Sequence, residues 1–331
     1  MSIGDLARQR LDALAKPRGS LGTLERLAVR LAETQGRIDP EASPRRLIVF
    51  AGDHGVVAEG VGLWPDEVTA AMMRLILEGR AGCSALARAS ATPVVLVDAG
   101  SKAEGISGEA YRDWRVAKGT RSFARGPAMS PAEFDAALAC GARAAREAAE
   151  QGVRVLALGE VGIGNTTTAA ALAALLTGAS ADSLIGPGAG ATPESLSRKR
   201  AVVGEAVARA QALEPHAAMA GLGGFEIIAI AGCILEAARN RLTVVLDGFI
   251  VGTGALVAQA IDPAALGCCL AAHRSAEPGH AVVLAQLGLE PFLEWGLRLG
   301  EGTGALLLLP MLEAAAGLLR DVATLAEVTG P

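Results

Sequence analysis

Short apolar runs that alternate with longer helical stretches constrain this chain more than any other feature. The runs are "RLIVFAGD", "PVVLVDAG", "VRVLALGE", "LTVVLDGF" and "GCCLAAHR", with a weaker candidate at "DSLIGPG". They are continuously rich in Val, Leu and Ile rather than alternating between apolar and polar residues. Strands of that kind are buried on both faces, as in a parallel sheet covered by helices on each side. The alternation therefore predicts βαβ units and an α/β fold.

Helix ends are legible between the runs. "SPAE" at 130–133 is a capping box, with Ser130 at the cap, Pro131 at the first helical position and Glu133 three residues on. The helix it opens runs towards Gly152, and Thr192 and Pro193 open another in the same way. Residues 1–35 and 280–331 read as helices with no strands between them. The expected organisation is a large α/β domain over 36–279 and a small helical domain assembled from both termini.

Composition narrows the function. Hydrophobic residues make up 51% and aromatics only 3%, so the core is built from Ala, Leu, Val and Ile. The net charge of −5 comes with no basic stripe, so nucleic acid is not an expected partner. "MSIGDLARQRLDAL" has no apolar signal core, and no uncharged apolar run reaches the ~18 residues of a membrane span. The expectation is a cytoplasmic protein without a membrane span. Five cysteines form no C-x-x-C pair and four histidines no H-E-x-x-H spacing, so neither a disulfide framework nor a metal site is expected. A mean hydropathy of +0.37 is high for a monomer and points to a thick core plus a subunit interface.

One stretch raises a chemical question. In "GEVGIGNTTTAAALAALLTG", residues 159–178, a strand-like run feeds into Gly159, Gly162 and Gly164, and an alanine-rich helix leaves it. Glycines at such a turn let bare N–H groups approach an anion at a helix N-terminus. No lysine follows Gly164, so this is not a P-loop, and the glycine spacing is not that of a dinucleotide fingerprint. It is either a phosphate cradle of another kind or a tight turn that binds nothing. Several runs also end in an acidic residue beside glycine: Asp53, Asp98, Glu160 and Asp247. The carboxyl ends of the strands are where open α/β sheets bind ligands. Each carboxylate alone could equally be a turn acceptor.

Longer motifs carry a specific resemblance. "KPRGSLGTLERLA", "VFAGDHGV", "VTAAM", "GTRSFARGPAM", "GEVGIGNTTTAAAL", "LGGFEI", "LDGFIV", "AHRSAEPGH" and "GLRLGEGTGAL" follow in this order from about Lys16 to about Ala326. Together they resemble the nicotinate-nucleotide–dimethylbenzimidazole phosphoribosyltransferases of cobalamin biosynthesis. The resemblance implies a Rossmann-like domain with a six-stranded parallel sheet, a small helical domain from both termini, and a homodimer. It implies transfer of a 5-phosphoribosyl group from nicotinate mononucleotide to 5,6-dimethylbenzimidazole, giving nicotinate and α-ribazole 5′-phosphate, with no cofactor.

The resemblance also implies site residues. Glu301 matches the catalytic base, with Leu299 as apolar wall, and Glu160 a second carboxylate beside the donor. Gly162, Gly164, Asn165, Thr166 and Thr167, with Gly188 and Lys199, would cradle the phosphate. Arg274 and Ser275 match residues that close the site, in family members from the partner subunit. Asp53, His54 and Asp247 fall in matched motifs without an assigned role. The chain departs from the family wording at Ala71, where the pattern "VTAQM" has Gln, and at Arg80 and Ser84, where "GGAAIN" has Gly and Asn. It departs again at Ser122 in "GTRS" and in "GAGAT" at 188–192. The Gln and Asn positions help to shape the base pocket, so another base or a phenolic acceptor is an alternative. A catalytically silent nucleotide-binding protein is a further one, against which the retained Glu301 and phosphate loop weigh.

Overall fold

Six strands, Arg45–Gly52 (β1), Val94–Gly100 (β2), Tyr111–Asp113 (β3), Val155–Val161 (β4), Thr243–Leu246 (β5) and Cys269–Ala271 (β6), pair in the order β3-β2-β1-β4-β5-β6. Every pairing is parallel. The computed structural model describes residues 1–188 and 190–330, so Ala189 of the "GAGAT" segment and Pro331 lie outside the described residues.

The five strong apolar runs are β1, β2, β4, β5 and β6. The weaker candidate "DSLIGPG" is not a strand. Ala181–Leu184 is a short helix, and the sixth strand is Tyr111–Asp113 at the sheet edge. Its three residues include Arg112 and Asp113, and such a segment has no apolar run to announce it.

Side chains on β1 alternate between two cores. Ile48 and Phe50 face a core shared with helices Pro131–Glu150, Asn165–Thr177, Phe225–Arg239 and Phe249–Ile261. Leu47, Val49 and Ala51 face a second core shared with Ile3–Ala13, Thr23–Gln35, Gly82–Ala89 and Thr303–Asp321. Both capping boxes are formed, Ser130 with Glu133 and Thr192 with Ser195. Among the described residues one helix, Thr303–Asp321, has the length and mean hydropathy (1.4) of a membrane span. Its Leu306, Leu308, Leu309, Leu312 and Leu319 are buried in the second core, where its apolar character is used.

Candidate active site

The chain leaves β1 towards β2 and leaves β4 towards β5, in opposite directions, so the strand order reverses between β1 and β4. Such a reversal opens a crevice at the carboxyl ends of the strands. Here the ends of β4, β5 and β6 deliver Glu160–Ile163, Asp247–Ile250, His273, Ser275 and Glu277 to one cleft of about 720 Å³. Val68 and Met72 of helix Glu67–Leu77 and the segment Gly296–Glu301 complete its walls. A smaller hollow of about 50 Å³ shares Gly162, Asn165 and Thr166 with the cleft and adds Gly164, Thr167 and Lys199.

The base of the cleft is a glycine turn. Gly300, Glu301 and Gly302 have φ of 85°, 59° and 80°, a run of left-handed backbone in which only the central residue carries a side chain. A non-glycine residue there costs on the order of 1–2 kcal/mol. The turn lies directly over β4: a Cβ on Gly159 would strike the Glu301 backbone, and one on Gly302 would meet Leu47. Glu301 N–H donates to the Glu160 carbonyl at 3.2 Å. The strain is held by Asp247 at the end of β5. Its carboxylate accepts N–H bonds from Gly302 (3.2 Å), Gly304 (2.7 Å) and Ala305 (3.3 Å), which caps helix Thr303–Asp321. Backbone strain kept at a functional site in this way is supplied by the surrounding structure.

Glu301 itself is 5% exposed, and its Oε2 accepts the Cys83 backbone N–H at 3.1 Å. Cys83 is in the first turn of helix Gly82–Ala89, so the partial positive end of that helix faces the carboxylate. The Cys83 thiol is pushed up to about 12 by burial and by the nearby Glu301, and stays a neutral neighbour. Glu160 is buried in the cleft wall. Burial, and then the charges of Asp247, Glu226 and Glu301, raise its carboxyl well above the ordinary range, and the Asn165 side-chain amide donates to it. A shift in this direction favours the protonated form, which can itself donate a hydrogen bond.

The 159–178 stretch forms the expected strand–turn–helix. Gly164 takes the left-handed conformation at the cap of helix Asn165–Thr177, with no side-chain cap bond. A Cβ on Gly162 would overlap the Gly52 carbonyl, and one on Gly164 would press on Val57. Lys199 is buried beside this turn. Its ammonium donates to Thr166 Oγ1 (3.0 Å) and to the Gly186 carbonyl (3.3 Å). Burial lowers its pKa to about 8, against the raising effect of Glu277.

The remaining sequence-selected residues divide. Ser275, Gly188 and Leu299 line the cleft, and Leu299 is largely exposed at its mouth. Arg274 is exposed and pairs with Glu294 at 3.0 Å, outside the cleft lining. Asp98 is consumed by local bonds from Ser101 and Tyr111, and Asp53 accepts the Lys102 N–H at 2.7 Å. His54 Nδ1 pairs with Thr168 Oγ1 at 2.9 Å, and its Nε2 lies 2.9 Å from buried Glu226. Ser84 turns its hydroxyl to the Ile76 carbonyl (3.1 Å) and lies beside a separate hollow, while Ala71 is exposed. Ser122 binds Glu59 in a larger groove of about 810 Å³ that holds none of the phosphate-loop or base-turn residues.

Cys83, Arg298 and Glu277 are among the residues at the cleft that escape sequence reasoning. Cys83 acts through its main-chain N–H, which any residue type except proline would supply. Arg298 reaches across to the Gly188 carbonyl at 3.1 Å, and Glu277 lies buried in the cleft wall. Both belong to motifs quoted above, and only the folded chain singles them out.

The phosphoribosyltransferase family model matches residues 2–329. The chain is 45% identical over 325 residues to the nicotinate-nucleotide–dimethylbenzimidazole phosphoribosyltransferase of Pseudomonas putida, across 98% of this chain and 93% of that one. It is equally 45% identical over 314 residues to the Thermus thermophilus enzyme of the same name, across 95% of this chain and 94% of the other. The crystal structure of CobT from Thermus thermophilus superimposes with a TM-score of 0.94 at 44% identity, covering 98% of both chains.

Proposed function

The chain belongs to the nicotinate-nucleotide–dimethylbenzimidazole phosphoribosyltransferases, and we propose that the cleft between Lys199 and Glu301 is where it performs the transfer. The overall reaction moves the 5-phosphoribosyl group of nicotinate mononucleotide onto 5,6-dimethylbenzimidazole. The observation that carries the assignment is Glu301, held over β4 by a strained turn and aimed into the cleft by the Cys83 N–H.

The donor's 5′-phosphate takes the hollow at the start of helix Asn165–Thr177, with Lys199 as the cation and Gly188 at the rim. Cleavage of the C–N bond releases nicotinate as a neutral pyridine ring, so the leaving group needs no acid. The acceptor's imine nitrogen attacks the anomeric carbon from the opposite face, and configuration inverts from β to α. Positive charge then spreads over the imidazole ring, and Glu301 takes the proton from its other nitrogen. Glu160, whose charged form is disfavoured by burial and by the neighbouring carboxylates, orients the donor by hydrogen bonding. Asp247 positions the base through the turn it caps.

Val68, Met72, Leu297 and Leu299 give the acceptor side apolar walls. The Ser84 hydroxyl is turned away and Ala71 brings no polar group. Recognition by shape and apolar contact favours a dimethylated benzimidazole over a base such as adenine, whose amino group would go unpaired. The reading extends to a homodimer in the cytoplasm, whose terminal helices form the small domain. The outward direction of Arg274 supports service to a partner's cleft. The test is Glu301→Gln: it should keep donor affinity and lose about 10² to 10⁴ in turnover, and wild-type turnover would overturn the assignment.

A further inference from the structure

Glu277 follows β6 in "HRSAEPGH", immediately before helix Gly279–Leu287, and it lines the cleft. The residue is 6% exposed, yet neither carboxylate oxygen has a hydrogen-bond partner among the described residues. Its place is fixed: its N–H donates to Ser275 Oγ at 3.2 Å, and Gly186 makes room for it, because a Cβ there would collide with the carboxylate. A buried carboxylate without partners is costly, and native structures rarely keep one without use. The use is narrowed by what surrounds it. Lys199, whose charge Glu277 supports, and Thr166 belong to the phosphate hollow, and Glu160 and Glu301 line the same cleft as Glu277. A second anion, whether phosphate or the nicotinate carboxylate, would be repelled. Between a 5′-phosphate and an anomeric carbon the donor presents a furanose ring whose hydrogen-bond donors are its 2′- and 3′-hydroxyls. Two adjacent O–H groups match two free carboxylate oxygens, as acidic residues match ribose hydroxyls in other α/β nucleotide sites.

We propose that Glu277 accepts the ribose 2′,3′-diol of the donor and makes the enzyme select ribo- over deoxyribonucleotides. The inference rests on the phosphoribosyl-transfer reading of the cleft. A site built to hydrogen-bond a hydroxyl rejects the analogue lacking it, because the buried acceptor is then left unpaired. The experiment compares kcat/KM for nicotinate mononucleotide with its 2′-deoxy and 3′-deoxy analogues, in the wild type, Glu277→Gln and Glu277→Ala. Wild type should prefer the ribonucleotide by on the order of 10²-fold, the scale of one buried acceptor left unpaired. Glu277→Ala should bring that ratio close to one, mainly by losing activity on the ribonucleotide, and Glu277→Gln should fall between. Equal wild-type activity on ribo and deoxy donors overturns the proposal without reference to any variant. So does an Ala variant that loses activity on all three donors in the same proportion, which would make Glu277 only the counter-charge of Lys199. Absence of turnover with every donor would instead remove the reading of the cleft itself.

Discussion

Lys199 shows how one buried charge ties structure to pH. Enclosure lowers its pKa to about 8, so it is a cation at neutral pH and loses its charge as pH rises through that value. On the proposed reading, donor binding through the phosphate weakens in the same direction. The expected outcome is that kcat/KM for nicotinate mononucleotide falls above about pH 8, by about tenfold per unit, since this parameter follows the free enzyme's ionisations. Lys199→Arg, which does not titrate there, should remove that alkaline limb, and an unchanged limb in the Arg variant would show that another group sets it. The glycine turn ahead of a helix was legible in its residue types, whereas Lys199 was singled out only by the family resemblance. Cys83 was not legible, since its contribution to Glu301 is a backbone N–H. The strand-end carboxylates read alike in sequence, yet Asp98 is held by Ser101 and Tyr111 while Glu160, bonded to Asn165, lines the cleft, and only their folded partners separate them.

At the scale of elements, the site depends on how helix Thr303–Asp321 begins. Asp247 from β5 satisfies N–H groups at that helix start and so fixes the Gly300–Gly302 turn over β4. Asp247→Ala should cost about 1–2 kcal/mol of stability, the scale of a lost helix cap, and should lower kcat more than it raises KM for the donor. Chemical denaturation and steady-state kinetics on one preparation check both; a change in stability with kcat untouched would separate the turn from catalysis. Gly302→Ala should damage the turn directly, because its φ of 80° suits glycine and a Cβ would meet Leu47. Five strands were legible from apolar runs, because burial on both faces demands them. The edge strand Tyr111–Asp113 was not, since an outer strand of three residues needs only backbone pairing with β2. "DSLIGPG" misled because its apolar pair Leu184 and Ile185 is buried at a helix end rather than in the sheet.

In the proposed reading the reaction lies between two layers, the sheet's carboxyl edge supplying the donor side and the segment that leads into the C-terminal helix supplying Glu301. If two chains share their sites, an inactive Glu301→Gln chain mixed with an inactive Arg274→Ala chain should regain activity, because some mixed dimers hold one intact cleft. No recovery on mixing, with dimers demonstrated by sedimentation, would place both residues in the service of one chain. The transfer itself is tested most directly by the configuration of its product. With β-nicotinate mononucleotide and 5,6-dimethylbenzimidazole, a single in-line displacement in this cleft predicts one nicotinate released per nucleotide formed, and NMR of that nucleotide should show the α anomer alone. A β product, or nicotinate released to water without coupling to the base, would contradict it.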